Sequence, residues 1–409
     1  MLSKFTFPLN SGNFYILLWS LYFMQGILYP QGCFISQAIL AIILLISFYN
    51  MFYINIKYKL PTYFKGLNIL LLMFIIYGAI LLVSGEKIYK GNVLISNTNY
   101  IKEIIISILP IYSFYNFSIK NKITEKNIRI WSILFILVAI SQYWFNYQKL
   151  TEDIVVYGSQ QIEVTNNIGY SFLAILPLAF FWHKKPIIQY IIVGLIMFFI
   201  LSAMKRGAIM IGAICMVWIL YRTIKTSSRN KKILIILLCL AIIIFATNYI
   251  ENMITTSDYF NKRIEDTLDG KSSGRDSIYT YFINYFLYKA SVIDFLIGGG
   301  ANATLRIYEH LAHNDWIEIA INQGCIGIII YLIYWSGFWK SIQKTNKTSI
   351  IYSCLITIFI IFFAKTFFSM SYGDMSYMTT LPLGYCLANS QMSSNDPVKT
   401  RLQILSVSR

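Results

Sequence analysis

The residues best suited to chemistry in this 409-residue chain are a histidine, an asparagine and an aspartate in a row. His313, Asn314 and Asp315 stand directly before an apolar stretch, "WIEIAINQGCIGIIIYL" (316–332). A histidine imidazole can accept or release a proton near neutral pH, and Asn314 or Asp315 can cap the helix that follows. His313 is therefore either the proton acceptor of an active site or a polar residue beside a helix cap.

Three cations are candidates for binding an anion. They are Lys205 and Arg206, followed by Gly207 in "SAMKRGAIMIG", and Arg275 in "SSGRDSIY". The planar guanidinium group of arginine matches the geometry of a phosphate, so these residues indicate an anion site. The alternative is that Lys205 and Arg206 reach lipid phosphates at a membrane surface, and that Arg275 pairs with Asp276 beside it.

The composition predicts a helical membrane protein. Hydrophobic residues make up 57% of the chain, charged residues 13%, and the mean hydropathy is +0.59. Apolar runs of about 17–22 residues recur along it, the length that an α-helix needs to cross about 30 Å of hydrocarbon. Such continuous runs exclude a β-barrel, and we predict an all-α polytopic protein with about twelve spans. The spans lie near 13–29, 34–54, 66–84, 101–117, 130–146, 167–183, 187–203, 207–221, 233–249, 318–339, 349–368 and 375–390.

The distribution of basic residues predicts that both termini are cytoplasmic. With the N-terminus inside, alternate loops place 21 of the 34 lysines and arginines on the cytoplasmic side, where Glu125 and Asp396 are the only acidic residues. Basic residues favour that side of a membrane protein. The net charge of +16 then follows from topology and does not indicate nucleic-acid binding. Lys205 and Arg206 fall on the outer side, against this preference, which favours a function for them.

One external segment, 250–317, is much longer than the other loops, and in a bacterium it would lie in the periplasm. A loop of this length in a compact protein is usually functional. It separates a nine-helix region (1–249) from three C-terminal spans (318–390), and a cytoplasmic tail (391–409) follows.

The external loop contains two recognisable elements. Its segment 274–290 has apolar residues at helical spacing, which predicts an amphipathic helix on the outer membrane surface. The glycine-rich "IGGGANA" (297–303) predicts a flexible turn whose backbone can approach a ligand. The apolar residues of the predicted helix are Ile278, Phe282, Tyr285 and Phe286.

Metal and nucleotide chemistry have no motif in this sequence. The six cysteines lie in or beside apolar spans, so we interpret them as small core residues and not as disulfides or metal ligands. The chain contains no CxxC, HExxH, Walker or GxGxxG motif. We therefore predict no metal and no cofactor.

Four segments resemble signatures of the O-antigen ligase and O-antigen or capsular polysaccharide polymerase superfamily, in the family's order. "AHNDWIEIAINQGCIGIIIYL" resembles its histidine–asparagine … Gly-x-x-Gly signature, and "NNIGYSFLAILPLAFF" (166–181) its asparagine-led central span with a proline. "LSAMKRGAIM" (201–210) is similar to its Ser/Thr-x-x-x-Arg-Gly turn, and "SSGRDSIY" (272–279) to its Ser-Gly-Arg segment. The resemblance covers roughly 166–332, together with the twelve-span layout and the long loop.

The resemblance implies a membrane-embedded glycosyltransferase of GT-C-like architecture in the bacterial inner membrane, with its active site facing the periplasm. It implies polyprenyl-pyrophosphate-linked oligosaccharides as donor and acceptor, without a metal. The roles implied for this chain are pyrophosphate binding by Arg206, Arg275 and Lys205, orientation or deprotonation of the attacking hydroxyl by His313, and support of the site by Asn314 and Gly207.

Within this superfamily we favour a polymerase, which joins repeat units on the lipid carrier. Lys205 stands where many ligases have a small hydroxyl residue, and this departure weakens the alternative of a ligase that transfers glycan to lipid A core or protein. A transporter or flippase of polysaccharide units is a further alternative. Besides the lipid bilayer, a chain-length regulator and a separate flippase are the expected partners of a polymerase.

Overall fold

The computed structural model describes residues 10–30, 32–90, 93–157, 168–203, 205–226, 275–369 and 377–392, with a few separate positions between 232 and 265. Its helices are α1 (Ser11–Phe23), α2 (Phe34–Lys57), α3 (Thr62–Ser84), α4 (Asn97–Ile119), α5 (Glu125–Tyr157), α6 (Gly169–Ile175), α7 (Pro186–Ser202), α8 (Arg206–Thr226), α9 (Arg275–Asn284), α10 (Val292–Ile297), α11 (Ala303–Tyr308), α12 (Asp315–Gln343), α13 (Ile350–Phe368) and α14 (Tyr377–Met392). A 3₁₀ turn, Leu176–Trp182, continues α6, and a π-helical turn, Tyr285–Lys289, continues α9. A short antiparallel hairpin, β1 (Ile88–Lys90) and β2 (Val93–Ile95), lies between α3 and α4.

Among these described residues, six helices are long and apolar enough to cross a membrane. They are Phe34–Lys57, Thr62–Ser84, Glu125–Tyr147, Arg206–Lys225, Asp315–Gln343 and Ile350–Phe367. Two shorter apolar helical stretches, Gly169–Trp182 and Pro186–Ser202, accompany them. The part of the chain that the structure describes is thus that of an all-α membrane protein with one short hairpin.

The number of twelve spans stays a prediction. The helices at the first and last predicted spans, α1 and α14, have 13 and 16 residues, so each is shorter than the roughly 20 residues that a perpendicular span needs. The predicted ninth span, 233–249, and the tail 391–409 lie almost entirely outside the described residues.

Close packing of α3 against α12 builds the centre of the helix bundle. A side chain on Gly66 would come within 2.8 Å of the Cα atom of Tyr334, and one on Gly337 within 2.7 Å of the Thr62 carbonyl oxygen. Small residues let membrane helices approach in this way. The Thr62 hydroxyl also donates to the carbonyl oxygen of Gly337 at 3.1 Å. The inner half of α12 is therefore held at a defined position against α3.

The predicted cytoplasmic loops meet at one end of the bundle. Three side-chain hydrogen bonds join them: Lys122 to Ser11 (2.8 Å), Thr62 to Ser341 (3.0 Å), and Arg222 to Ser353 (2.8 Å). The predicted external loops meet at the opposite end, called the outer end below. There Arg306 pairs with Glu86, Asn314 contacts the Phe367 carbonyl oxygen, and Tyr279 contacts the His313 carbonyl oxygen.

Helix α12 is interrupted at Gly324, where the backbone has φ 67° and ψ −162°. Only glycine adopts this conformation without strain. The interruption leaves the carbonyl oxygens of Ile321 and Asn322 free to accept from the backbone N–H groups of Gly299 (2.9 Å) and Gly300 (3.0 Å). The glycine-rich segment predicted to be a flexible turn toward a ligand is instead docked on α12, because these N–H groups are used by the helix.

The helix predicted over 274–290 is present as α9 and its π-helical continuation. Its apolar face is turned differently from our expectation. Phe282 is fully buried against Ala303, Ala312 and Ile321 of the protein. The residues that we predicted to face the membrane therefore form a small second core with α11 and α12. Other apolar residues of this segment are exposed.

Candidate functional site

Glu318 fixes the chain that leads to His313. This side chain is fully buried in the first turns of α12. Its carboxyl oxygens accept hydrogen bonds from the Thr304 hydroxyl (2.5 Å), the Asn322 amide (3.1 Å) and the backbone N–H of Ala312 (2.8 Å). Buried acceptors satisfied in this way order the groups around them. The residue before His313 is thereby attached to α12.

Asn314 fixes the chain on the other side of His313. Its side-chain oxygen accepts from the backbone N–H groups of Trp316 (2.9 Å) and Ile317 (3.2 Å) and so caps α12. Its amide group points toward the carbonyl oxygen of Phe367 in α13 at 3.5 Å. Asp315, the alternative cap, is buried in the helix and accepts from the Tyr331 hydroxyl at 2.6 Å.

His313 itself adopts a left-handed backbone conformation, with φ 52°. Few residues other than glycine do so, and such residues often occur at functional sites. Its side chain is exposed between the two anchored neighbours. The local structure thus presents the imidazole at the outer end of the bundle.

The surroundings of His313 favour a neutral imidazole. Partial desolvation by the surrounding protein lowers its pKa, and the positive charges of Arg275, Lys90 and Lys205 lower it further, with a smaller effect from His310. An unperturbed histidine has a pKa of about 6.5. Because the pKa of His313 is lowered from that value, its imidazole is neutral and can accept a proton at neutral pH. The positive charges of Arg275, Lys90 and Lys205 therefore lie near the imidazole.

Arg275 and Tyr279 lie on one side of His313. The Tyr279 hydroxyl donates to the His313 carbonyl oxygen at 3.4 Å, a long hydrogen bond. Desolvation raises the pKa of Tyr279, whereas the charge of Arg275 and hydrogen bonds with Asn314 and Arg275 oppose that rise. Helix α9 therefore brings its first residue, Arg275, to the beginning of α12.

Lys205 and Arg206 lie where α7 turns into α8. Arg206 and Gly207 are the first two residues of α8, and Lys205 precedes them. A side chain on Gly169 would lie 3.2 Å from the Cβ atom of Ala203 and 3.6 Å from that of Lys205, so the start of α6 packs on this turn. The structure brings Lys205 and Arg275 into the electrostatic surroundings of His313, and Arg206 adjoins Lys205 in the chain.

Lys365 is a buried cation near this site that sequence reasoning did not select. It lies in α13, is only 3% exposed, and its ammonium group stands 5.1 Å from the centre of the Tyr170 ring. Tyr170 follows Gly169, which packs beside Lys205. A signal for Lys365 was present in the sequence, because an ionisable residue within a predicted span is a functional candidate by itself.

Lys90 was also missed. It ends strand β1 and is exposed, and its charge reaches His313 across two loops far apart in sequence. Like Lys205, it is a basic residue in a predicted external loop, so the signal that selected Lys205 applied here too. Among the described residues, no three His, Cys, Asp or Glu side chains lie close enough to hold a metal ion.

Neither models of known protein families nor curated proteins match this chain.

Proposed function

We propose that this protein is a membrane-embedded glycosyltransferase of the bacterial inner membrane that polymerises polyprenyl-pyrophosphate-linked repeat units of an O-antigen or capsular polysaccharide. One observation carries the proposal: His313 stands at the outer end of the spans, where desolvation and then the charges of Arg275, Lys90 and Lys205 lower its pKa. A proton acceptor and a set of cations in one place suit the attack of a hydroxyl group on a glycosyl pyrophosphate.

In the proposed reaction, the acceptor hydroxyl oxygen forms a bond with the anomeric carbon of the donor glycan. The bond between that carbon and the pyrophosphate oxygen breaks, and polyprenyl pyrophosphate leaves with the bonding electrons. The hydroxyl proton passes to the neutral imidazole of His313, and general-base assistance of this kind contributes about 10²–10⁴-fold in rate. Arg206, Arg275 and Lys205 stabilise the negative charge that grows on the leaving group.

The same cations and histidine would serve a ligase equally well, so the acceptor decides between the two activities. A transporter would use polar residues inside the spans. Among the polar residues buried there, which include Lys365, Asn50 donates to Ser113 at 3.0 Å and accepts from Asn116 at 2.5 Å. Hydrogen bonds between α2 and α4 of this kind are typical of helix packing in membranes.

The test is polymer formation by the purified protein in liposomes with a lipid-linked repeat unit as both donor and acceptor. We expect a ladder of lipid-linked oligomers, and we expect His313→Ala and Arg275→Ala to lose most of it. His310→Ala is the matched control, because His310 lies three residues away in the same exposed loop, where its ring packs edge-on against the Tyr308 ring.

The outcomes separate the candidate functions. Single repeat units in a deletion strain indicate a polymerase, whereas lipid-linked polymer that never reaches lipid A or protein indicates a ligase. Repeat units that accumulate on the cytoplasmic side would indicate a transporter. Full activity of His313→Ala in the purified system would remove the histidine from the mechanism and leave the proposal without its main support.

A further inference from the structure

We infer that part of the external loop re-enters the outer leaflet of the membrane, where residues 287–297 contact the acyl chains of lipids. This inference does not depend on the catalytic proposal. Large apolar side chains of the segment are exposed on the protein surface. They are Leu287 (56% exposed), Tyr288 (80%), Val292 (77%), Ile293 (67%), Leu296 (47%) and Ile297 (45%).

The path of the chain shows where these residues lie relative to α12. Tyr279 of α9 stands beside His313, at the beginning of α12. Further along, Phe282 packs on Ile321, and Gly298 lies against the backbone of Asn322. The segment therefore runs from the outer end of α12 toward the interior of the bundle.

The chain then returns along the same helix. Gly299 and Gly300 bond to the carbonyl oxygens of Ile321 and Asn322, and Thr304 bonds to Asn322 and Glu318. Ala312, which precedes His313, bonds to Glu318 nearer the helix start. The two limbs form a re-entrant hairpin with its turn near Gly298.

Two spanning helices give the depth of this turn. The Tyr77 hydroxyl of α3 donates to the Ile297 carbonyl oxygen, and Tyr77 lies seven residues below Ser84, the end of α3. At about 1.5 Å per residue this is about 10 Å below the helix end. A helix needs about 20 residues to span the hydrocarbon. Counted outward from Lys340, at the inner end of α12, these residues end a little beyond Gly324, which therefore lies about 6 Å below the outer boundary. Gly324 stands beside Gly298.

The backbone hydrogen bonds of the turn are compatible with a position inside the membrane. Irregular backbone persists inside a membrane only where the protein supplies its hydrogen-bond partners. The N–H groups of Gly298, Gly299 and Gly300 all have such partners, in the carbonyl oxygens of Asp294, Ile321 and Asn322. The interruption of α12 at Gly324 provides two of these three acceptors.

The two charges of the segment are compatible with a shallow position. Lys289 has a long side chain that can reach the lipid headgroups. The Asp294 carboxylate accepts from the Ser291 hydroxyl at 2.8 Å. The apolar residues between and after them are exposed to the same extent as lipid-facing residues of the spans, such as Leu72 (58%) in α3. Lipid acyl chains are therefore the occupant that fits this surface.

The experiment measures the depth of spin labels on the full chain in liposomes. In a chain whose six cysteines are replaced by alanine, a nitroxide is attached to Val292→Cys or Ile293→Cys. Collision with oxygen, which concentrates in lipid, is compared with collision with a water-soluble nickel complex. Leu72→Cys is the lipid reference and Glu309→Cys, in the exposed part of the loop, is the aqueous reference.

We expect the labels at Val292 and Ile293 to collide with oxygen more than with nickel, at a depth between the two references. If the labels at both positions collided with oxygen and nickel in the same ratio as the label at Glu309→Cys, the inference would be overturned, because the surface would then face water. Shielding of both positions from oxygen and nickel alike would also overturn it, since a second protein copy and not lipid would cover the surface. Neither result would alter the test of polymer formation.

Discussion

The backbone N–H of Ala312 donates to the carboxyl group of Glu318 at 2.8 Å, and this bond places the next residue, His313, at the beginning of α12. The acceptor lies on a spanning helix, whereas the donor ends the external loop. Since Glu318 also accepts from Thr304, one buried side chain joins two parts of that loop to the bundle. The position of the histidine therefore depends on a residue that does not touch the proposed substrate.

Replacement of Glu318 by glutamine should lower both stability and activity. A glutamine amide has one acceptor oxygen instead of two, so a donor such as Ala312 N–H stays unsatisfied, at a cost of about 1–3 kcal/mol. We expect a lower midpoint of thermal unfolding in detergent and a lower kcat, with a smaller change in KM because His313 is displaced and not removed. Glu309→Gln, in an exposed part of the loop, should change neither. Wild-type kcat in Glu318→Gln would contradict a positioning role.

The pH dependence of activity should reveal the cations around His313. Its lowered pKa keeps the imidazole neutral at neutral pH, and activity should fall only as the pH drops below about 6.5, the ordinary value. Lys90→Ala removes one positive charge, which raises the pKa of His313 and should move this acid limb to higher pH. Lys87→Ala removes the same charge three residues away and should leave the profile unchanged. The comparison uses kcat/KM measured from pH 5 to pH 8. If Lys90→Ala and Lys87→Ala had identical pH profiles of kcat/KM, the charge of Lys90 would have no effect on the pKa of His313.

Lys365 should contribute to function more than to stability. It is nearly completely buried over the Tyr170 ring, and a methionine side chain of similar volume preserves the packing there. We therefore expect Lys365→Met to fold normally but to lose at least about tenfold in polymer formation, equivalent to about 1.4 kcal/mol. Lys340→Met, at the exposed inner end of α12, is the control. Unchanged activity would assign Lys365 to packing alone.

The docking of the glycine-rich segment on α12 should depend on Gly324. An alanine there would be strained by at least about 1–3 kcal/mol, and its Cβ atom would meet the backbone of Leu296 and Gly298. We expect Gly324→Ala to lower the unfolding temperature clearly. A side chain on Gly194 would meet nothing within 4 Å, so Gly194→Ala should be tolerated. Equal stability of the two variants would show that α12 can be continuous at position 324.

The two ends of the bundle should face opposite sides of the membrane. Alkaline phosphatase becomes active only outside the cytoplasm, so a fusion after Glu309 should be active and one after Lys225 inactive. The expectation follows from the excess of basic residues on the predicted cytoplasmic side. Activity at Lys225 and none at Glu309 would place His313 in the cytoplasm and would invalidate the proposed reaction.

Local patterns in the sequence were sufficient for the general architecture. Long apolar runs predicted the helices, and Asn314 and Asp315 together predicted a helix cap, which Asn314 forms. The length of an apolar run and the capping of a helix depend only on residues that are neighbours in the sequence, so both can be predicted without knowledge of the fold. The direction of the apolar face of α9 could not be read in this way. Phe282 faces α11 and α12, and helical spacing does not say whether an apolar side meets lipid or protein.

The sequence by itself determined that this is a helical membrane protein with a histidine, an asparagine and several cations in its predicted external loops. Only the tertiary structure decided which of them come together. Lys90 and Lys205 are more than 100 residues apart, and both lie far in sequence from His313, yet their charges act on the same imidazole. Coulomb interactions depend on distance through space. Spacing along the chain predicts such distances within a helix or turn, but not between loops that separate helices bring to one end of a bundle.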